Sequence, residues 1–169
     1  SADPDHLDIY GTAEAYRESF EHFTSLIRPG GTLLLKKGTA LTSKTVQGVN
    51  VQSYSELEGD YHAENIRIGD GEIRFYYVSP KRRINDINLG VPVQINIENS
   101  VAAMAAAELC GATADEMRKA MSSFAGARRR FDFHIKSDLI VFIDDYAHHP
   151  SELTAAIESI KALYPKRKL

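Results

Sequence analysis

The sequence predicts an α/β fold: part of a parallel sheet, a small antiparallel sheet set into it, and then the first strand and helix of a further unit. Three observations carry this. "TLLLKKG" is a continuous apolar run between glycines, as in a buried parallel strand. "YHAENIRIGDGEIRFYYVSP" alternates apolar and polar residues on both sides of Gly69-Asp70-Gly71, a hairpin pattern. "DLIVFID" is an apolar strand followed within a few residues by the amphipathic stretch "SELTAAIESIKALYP".

Taken in order, residues 12–28 read as a helix, with Tyr16, Phe20, Phe23 and Ile27 at helical spacing and Arg28-Pro29-Gly30-Gly31 as its stop. The "TLLLKKG" strand follows, and residues 49–54 form a second strand. The hairpin and a third strand in "INDINLGVP" make residues 61–92 an antiparallel sheet. "INIENSVAAMAAAELCG" is a helix ended by Gly111. "TADEMRKAMSSF" is another, with Thr113 as N-cap and Glu116 at the capping-box position. The last helix has Ser151 or its neighbour as cap and Pro165 as stop. A boundary is expected between Phe133 and Asp138, dividing the chain into 1–135 and 136–169.

Composition narrows the function classes. Of 169 residues, 43% are hydrophobic and 25% charged, which excludes wholesale disorder. The net charge of −3 gives no global attraction to nucleic acid or to an acidic membrane surface, so any basic site is local. No apolar run is long enough to span a bilayer. The single Cys110 excludes an internal disulfide framework, fits a cytoplasmic protein, and reads as a small buried side chain in an apolar helix. The chain opens without a Met inside the polar cluster "SADPDHLD" and closes on "YPKRKL", where an α/β protein would start its next strand. Both ends are therefore expected to be cut from a larger protein.

Four clusters carry candidate chemistry. In "DDYAHHP", Asp144, Asp145, Tyr146, His148 and His149 sit at a strand's carboxyl end, the edge where open α/β sheets bind ligands. A carboxylate there can accept both hydroxyls of a ribose, and a histidine can donate to phosphate. The alternatives are a turn-capping Asp145 with a solvated His148, or a zinc site, although adjacent histidines lack the one-face spacing of helical zinc motifs. Arg128, Arg129 and Arg130 repel one another unless solvated or paired. In a strand-like segment Arg129 would point away from the other two. A guanidinium fork suits phosphate oxygens; a surface patch paired to Asp132, or a nucleic-acid contact, are the other readings. Asn96 and Asn99 lie three apart at a helix start. Their amides match the adenine edge, or else simply cap the helix. Asp3, Asp5, His6 and Asp8 suit Mg²⁺ or Mn²⁺, or form a polar loop.

The order of these clusters is more specific than any one of them. "DHLD", an Asn-x-x-Asn helix, "RRRFDF" and a strand ending "DDYAHHP" together resemble the Mur ligase family, which builds the peptide stem of bacterial peptidoglycan. The resemblance covers the whole chain. It runs from within the central ATPase domain (1–135) into the first strand-helix unit of the Rossmann-like carboxy-terminal domain (136–169). It is strongest to the branch that joins L-alanine to UDP-N-acetylmuramate. The later ligases carry a lysine soon after the DHxD histidine; here none occurs between His6 and Lys36, and Phe20 stands in about the matching place. Ile95 replaces the histidine that often precedes the Asn-x-x-Asn pair.

The resemblance implies roles for single residues. His6 would ligate a divalent cation, Mg²⁺ or Mn²⁺. Asn96 and Asn99 would read adenine, and Arg130 would contact the γ-phosphate of ATP. Asp145 would hold the ribose, Tyr146 would pack near the nucleotide, and His148 would lie beside the phosphates or substrate. The family's G-x-x-x-x-G-K-[ST] loop is not in this chain, so the piece alone is expected to be inactive. The rival expectations are a noncatalytic nucleotide-binding or scaffold module, a metal hydrolase using "DHLD" with "DDYAHH", and the muropeptide-recycling ligase. An exposed sheet edge is expected to favour self-association.

Overall fold

Hairpin chemistry positions the centre of the molecule. In a computed structural model, which describes residues 7–148 and 150–169 and only the backbone of Ser151, strands β3 (His62–Gly69) and β4 (Glu72–Val78) pair antiparallel across Asp70-Gly71. Asp70 and Gly71 both take positive φ, 51° and 75°, as a two-residue turn matched to strand twist requires. Strand β5 (Arg83–Asn88) adds to the far side of β4.

Period-2 patterning then aims Ile73, Phe75 and Tyr77 of β4 at one face, where all three are buried. On β5 both Ile84 and Ile87 are buried, an odd spacing that strict alternation forbids. A register shift opposite Phe75 and Tyr77, with Asp86 at φ 57°, inserts the extra residue that lets both face inward.

Helix α3 (Ile95–Leu109) covers this face with Ile97, Val101, Met104 and Ala105, spaced as one helical stripe. Near its end the carboxylate of Glu108 is buried. Tyr77 Oη donates to its Oε2 at 2.9 Å, and Arg82 Nε lies 2.7 Å from its Oε1. Burial, and then the neighbouring Glu108, push the Tyr77 hydroxyl well above the ordinary tyrosine range. Helix α4 (Ala114–Ser123) starts with the expected capping box between Thr113 and Glu116.

The parallel part is smaller. A four-residue helix, α1 (Leu7–Tyr10), precedes α2 (Ala13–Ser25), whose first turn is capped by Thr12 accepting from the Ala15 amide at 3.1 Å. Strands β1 (Thr32–Lys36) and β2 (Asn50–Tyr54) pair parallel, as the apolar run predicts. Every residue of β1 is only half-buried, because two strands and one helix cover a small part of their surface.

The last unit departs most from expectation. Strand β6 (Asp132–Lys136) pairs antiparallel with β7 (Val141–Asp144), and α5 (Pro150–Leu163) follows. β6 is a strand that the sequence pattern did not reveal. β7 is shorter than "DLIVFID", because Ser137 closes a turn on Ile140 through backbone and hydroxyl hydrogen bonds. The end of α5 docks on the β3–β4 hairpin: Gly71 donates its amide to Leu163 O, and Lys136 Nζ donates to Gly71 O, both at 3.1 Å. A Cβ at Gly71 would stand 2.6 Å from Tyr164 Oη, so glycine is needed there for contact as well as for the turn. Cys110 caps α3 and is exposed, not buried as expected, since the helix ends with it facing solvent. Among the described residues no helix is long and apolar enough to cross a membrane.

Candidate functional site

The Arg128–Arg130 segment is a tight turn rather than a strand. Arg130 N–H bonds Ala127 O at 3.1 Å, and Arg129 at the third position takes φ 59°. Phe131, directly after Arg130, also has positive φ, 49°. A non-glycine residue held this way costs about 1–3 kcal/mol and persists only where its surroundings impose it.

The tip after β7 imposes it. Asp145 Oδ2 accepts the Phe131 amide at 2.7 Å, and Asp145 Oδ1 accepts the Ala147 amide at 2.7 Å. The Tyr146 amide donates to Arg129 O at 2.8 Å, and the Arg129 guanidinium lies 4.6 Å from the Tyr146 ring centroid. The Phe131 ring is buried in the central core and meets Phe133 edge to face at 5.6 Å. Arg129 also lies 3.9 Å from the Asp144 carboxylate. Arg128 and Arg130 make no ion pair among the described residues, and both are exposed. The tip thus presents one guanidinium stacked on tyrosine and two free for an anion.

His148 bonds the Tyr146 carbonyl through Nδ1 at 3.0 Å, lies 3.8 Å from Glu152, and is exposed. His134, which the sequence reading did not single out, faces Asp132 and Asp144 at 3.7 and 3.9 Å.

Asn96 and Asn99 act as a pair. Asn96 Nδ2 donates to Val91 O at 3.1 Å, and Asn99 Nδ2 donates to Asn96 Oδ1 at 3.3 Å. That leaves Asn99 exposed with its carbonyl and one N–H unspent. Their side-chain bonds run to Val91 O and to each other rather than to amides of the helix's first turn, so capping does not consume them. Beside them Lys36, at the carboxyl end of β1, pairs with Glu98 at 2.6 Å. Ile95 is 57% exposed.

Backbone packing joins the asparagine pair to the arginine turn. Val91, which receives Asn96, stands so close to Gly126 that a Cβ there would meet Val91 Cγ2 at 2.8 Å. Gly126 has φ 82° and leads into the turn. Gly90 is pressed under the Phe124 carbonyl, leaving no room for a side chain.

His6, with Asp3 and Asp5, lies outside the described residues, as does His149. Among the described residues no cluster of three His, Cys, Asp or Glu side chains could hold a metal.

Comparison with known proteins identifies the family of the chain. Residues 1–107 match the Mur ligase middle domain, and residues 129–169 match the Mur ligase, glutamate ligase domain. The chain is 62% identical over its whole length to a UDP-N-acetylmuramate–L-alanine ligase of Parabacteroides distasonis, and 59% identical to that of Phocaeicola vulgatus. It spans 37% of the length of each. Its fold superposes on the crystal structure of the UDP-N-acetylmuramate–alanine ligase MurC from Thermotoga maritima with a TM-score of 0.80. That superposition has 25% identity and covers 97% of this chain and 37% of the other. With the middle-domain match running over more than half its length, the chain belongs to the Mur ligase family.

Proposed function

We propose that the chain is the nucleotide-gripping portion of an ATP-dependent ligase that joins L-alanine to UDP-N-acetylmuramate. The observation that carries this is the 62% identity, over the full chain, to a ligase named for that reaction. ATP would phosphorylate the sugar-nucleotide carboxylate, and the alanine amine would displace phosphate from the acyl phosphate. Phosphoryl transfer asks the protein for positioning and positive charge. The unpaired Arg130 guanidinium suits the γ-phosphate, and the unspent amide of Asn99, braced by Asn96, suits the adenine edge. Asp145 has lone pairs left for a ribose beside its two amide bonds, with Tyr146 and His148 at the same tip.

A Mg²⁺ or Mn²⁺ ion, held by His6, would neutralise phosphate charge. The junction between the central ATP-binding part and the carboxy-terminal part, expected at residues 135–136, is set just ahead of β6 in this reading. The reason is that β6 pairs with β7 and with no other described strand. The open apolar surface of β7 and the turn before it, with Phe142, Leu139 and Ile140 exposed, supports self-association of the chain when it stands alone.

The test is ATP-dependent amide formation by the longer ligase with UDP-N-acetylmuramate and a panel of amino acids and peptides. L-Alanine should be the preferred amine, with ADP, phosphate and amide formed in equal amounts. Preference for a whole peptide would replace this reading with that of a recycling ligase. The chain by itself should show no turnover.

A further inference from the structure

We infer that Asp145 is a positioning residue for Arg130, separate from any contact it makes with a ribose. The inference rests on the Arg130 assignment above. Arg130 stands between two residues in left-handed conformation, Arg129 at φ 59° and Phe131 at φ 49°. Neither is glycine, so the local chain does not hold this shape unaided. Each is tied to the tip of β7. The Asp145 carboxylate accepts the Phe131 amide at 2.7 Å, while the Tyr146 amide donates to the Arg129 carbonyl at 2.8 Å.

These two bonds bracket Arg130 and span 14 and 17 residues of chain, so they fix the turn relative to β7 and not merely within itself. The other Asp145 oxygen takes the Ala147 amide at 2.7 Å, which orients the carboxylate toward Phe131. Removing one acceptor should let the turn relax toward ordinary φ and swing the guanidinium. A misplacement of about 1 Å at a reacting group costs up to ~100-fold in rate.

The variant is Asp145→Asn, which keeps the side-chain volume and one acceptor but cannot accept both amides. Two measurements read it. The first is hydrogen exchange at the Phe131 amide in the chain described here, a readout independent of catalysis. Because the single Asn oxygen serves one of the two amides, exchange should quicken at Phe131 or at Ala147 with the core amides of β4 unchanged, and unchanged rates at both overturn the inference.

The second is kcat and KM of the longer ligase with ATP and with 2′,3′-dideoxy-ATP, alongside Arg130→Ala and the double variant. Positioning predicts that Asp145→Asn lowers kcat roughly 10–100-fold with both nucleotides. It also predicts that the double variant is no worse than Arg130→Ala. A ribose contact alone predicts a raised KM for ATP and no effect with the dideoxy nucleotide; that result, or additive losses, sinks the inference and leaves the function standing. If Arg130→Ala itself leaves turnover unchanged, the phosphate role of Arg130 falls, and the inference falls with it.

Discussion

Strand β4 buries Ile73, Phe75 and Tyr77 to 1% exposure or less, whereas β7 and the turn before it leave Phe142 at 54% and Leu139 at 95%. Both stretches are equally apolar in sequence. The difference lies in what covers them. β4 is central in its sheet, with β3 and β5 on its edges and α3 across its face. Among the described residues β7 has one partner strand; Phe131 and, from α5, Leu163 enter the shared core, while Phe133, Ile143 and Ile160 only pack against it half-buried. Stability therefore resides in the antiparallel hub, while the last unit contributes a tip whose polar bonds set geometry. Substitutions in the two regions should fail in different ways.

The largest effect is expected at the hub. Phe75→Ala should cost about 3–5 kcal/mol in denaturant unfolding, as a fully buried ring is replaced by a cavity. The same change at Phe142 should cost under about 1 kcal/mol, since half of that ring already meets water. Equal losses would mean that β7 is as load-sharing as β4.

Next comes the buried hydroxyl. Tyr77→Phe leaves Glu108 Oε2 without its donor and should cost about 1–3 kcal/mol. Its pH dependence has a definite sign. Tyr77 ionises near pH 10 when unfolded and well above that when folded, so its contribution is whole below pH 10 and is lost as pH rises further. Tyr61, raised by burial, acts in the same direction. Unfolding curves between pH 9 and 12 should fall less steeply for Tyr77→Phe than for the parent chain.

Thr113→Ala should cost about 1 kcal/mol by removing the capping box of α4, measured by thermal unfolding. The smallest effect is expected at Leu139→Asp. It should leave stability within about 0.5 kcal/mol while shifting sedimentation toward monomer.

Much of the hub was legible because its signals are local. Gly69-Asp70-Gly71 announces the hairpin, Thr113 and Glu116 announce α4, and alternation names Ile73, Phe75 and Tyr77 as core. The β5 bulge was not legible, since nothing in "RINDIN" marks Asp86 for positive φ. The tip was half legible. Its residue types pointed to anion and nucleotide chemistry, and their order pointed to the family. Its geometry was not legible, because left-handed Arg129 and Phe131 are imposed by hydrogen bonds from residues far along the chain. Phe131 carried one usable signal: it is an apolar ring set between Arg130 and Asp132, and it is buried here. β6 was hidden by the charges around "FDFHIK" and by its bulge beside Phe133.

The central claim is that the tip serves turnover and the hub serves stability, with Arg130 as the tip's working cation. Arg130→Ala in the longer ligase tests it most directly, measured both by unfolding and by ATP-dependent joining of L-alanine to UDP-N-acetylmuramate. The account predicts stability unchanged within about 0.5 kcal/mol and kcat lowered about 10²–10³-fold. Full turnover in that variant, or a loss of activity matched by a loss of folding, would contradict it.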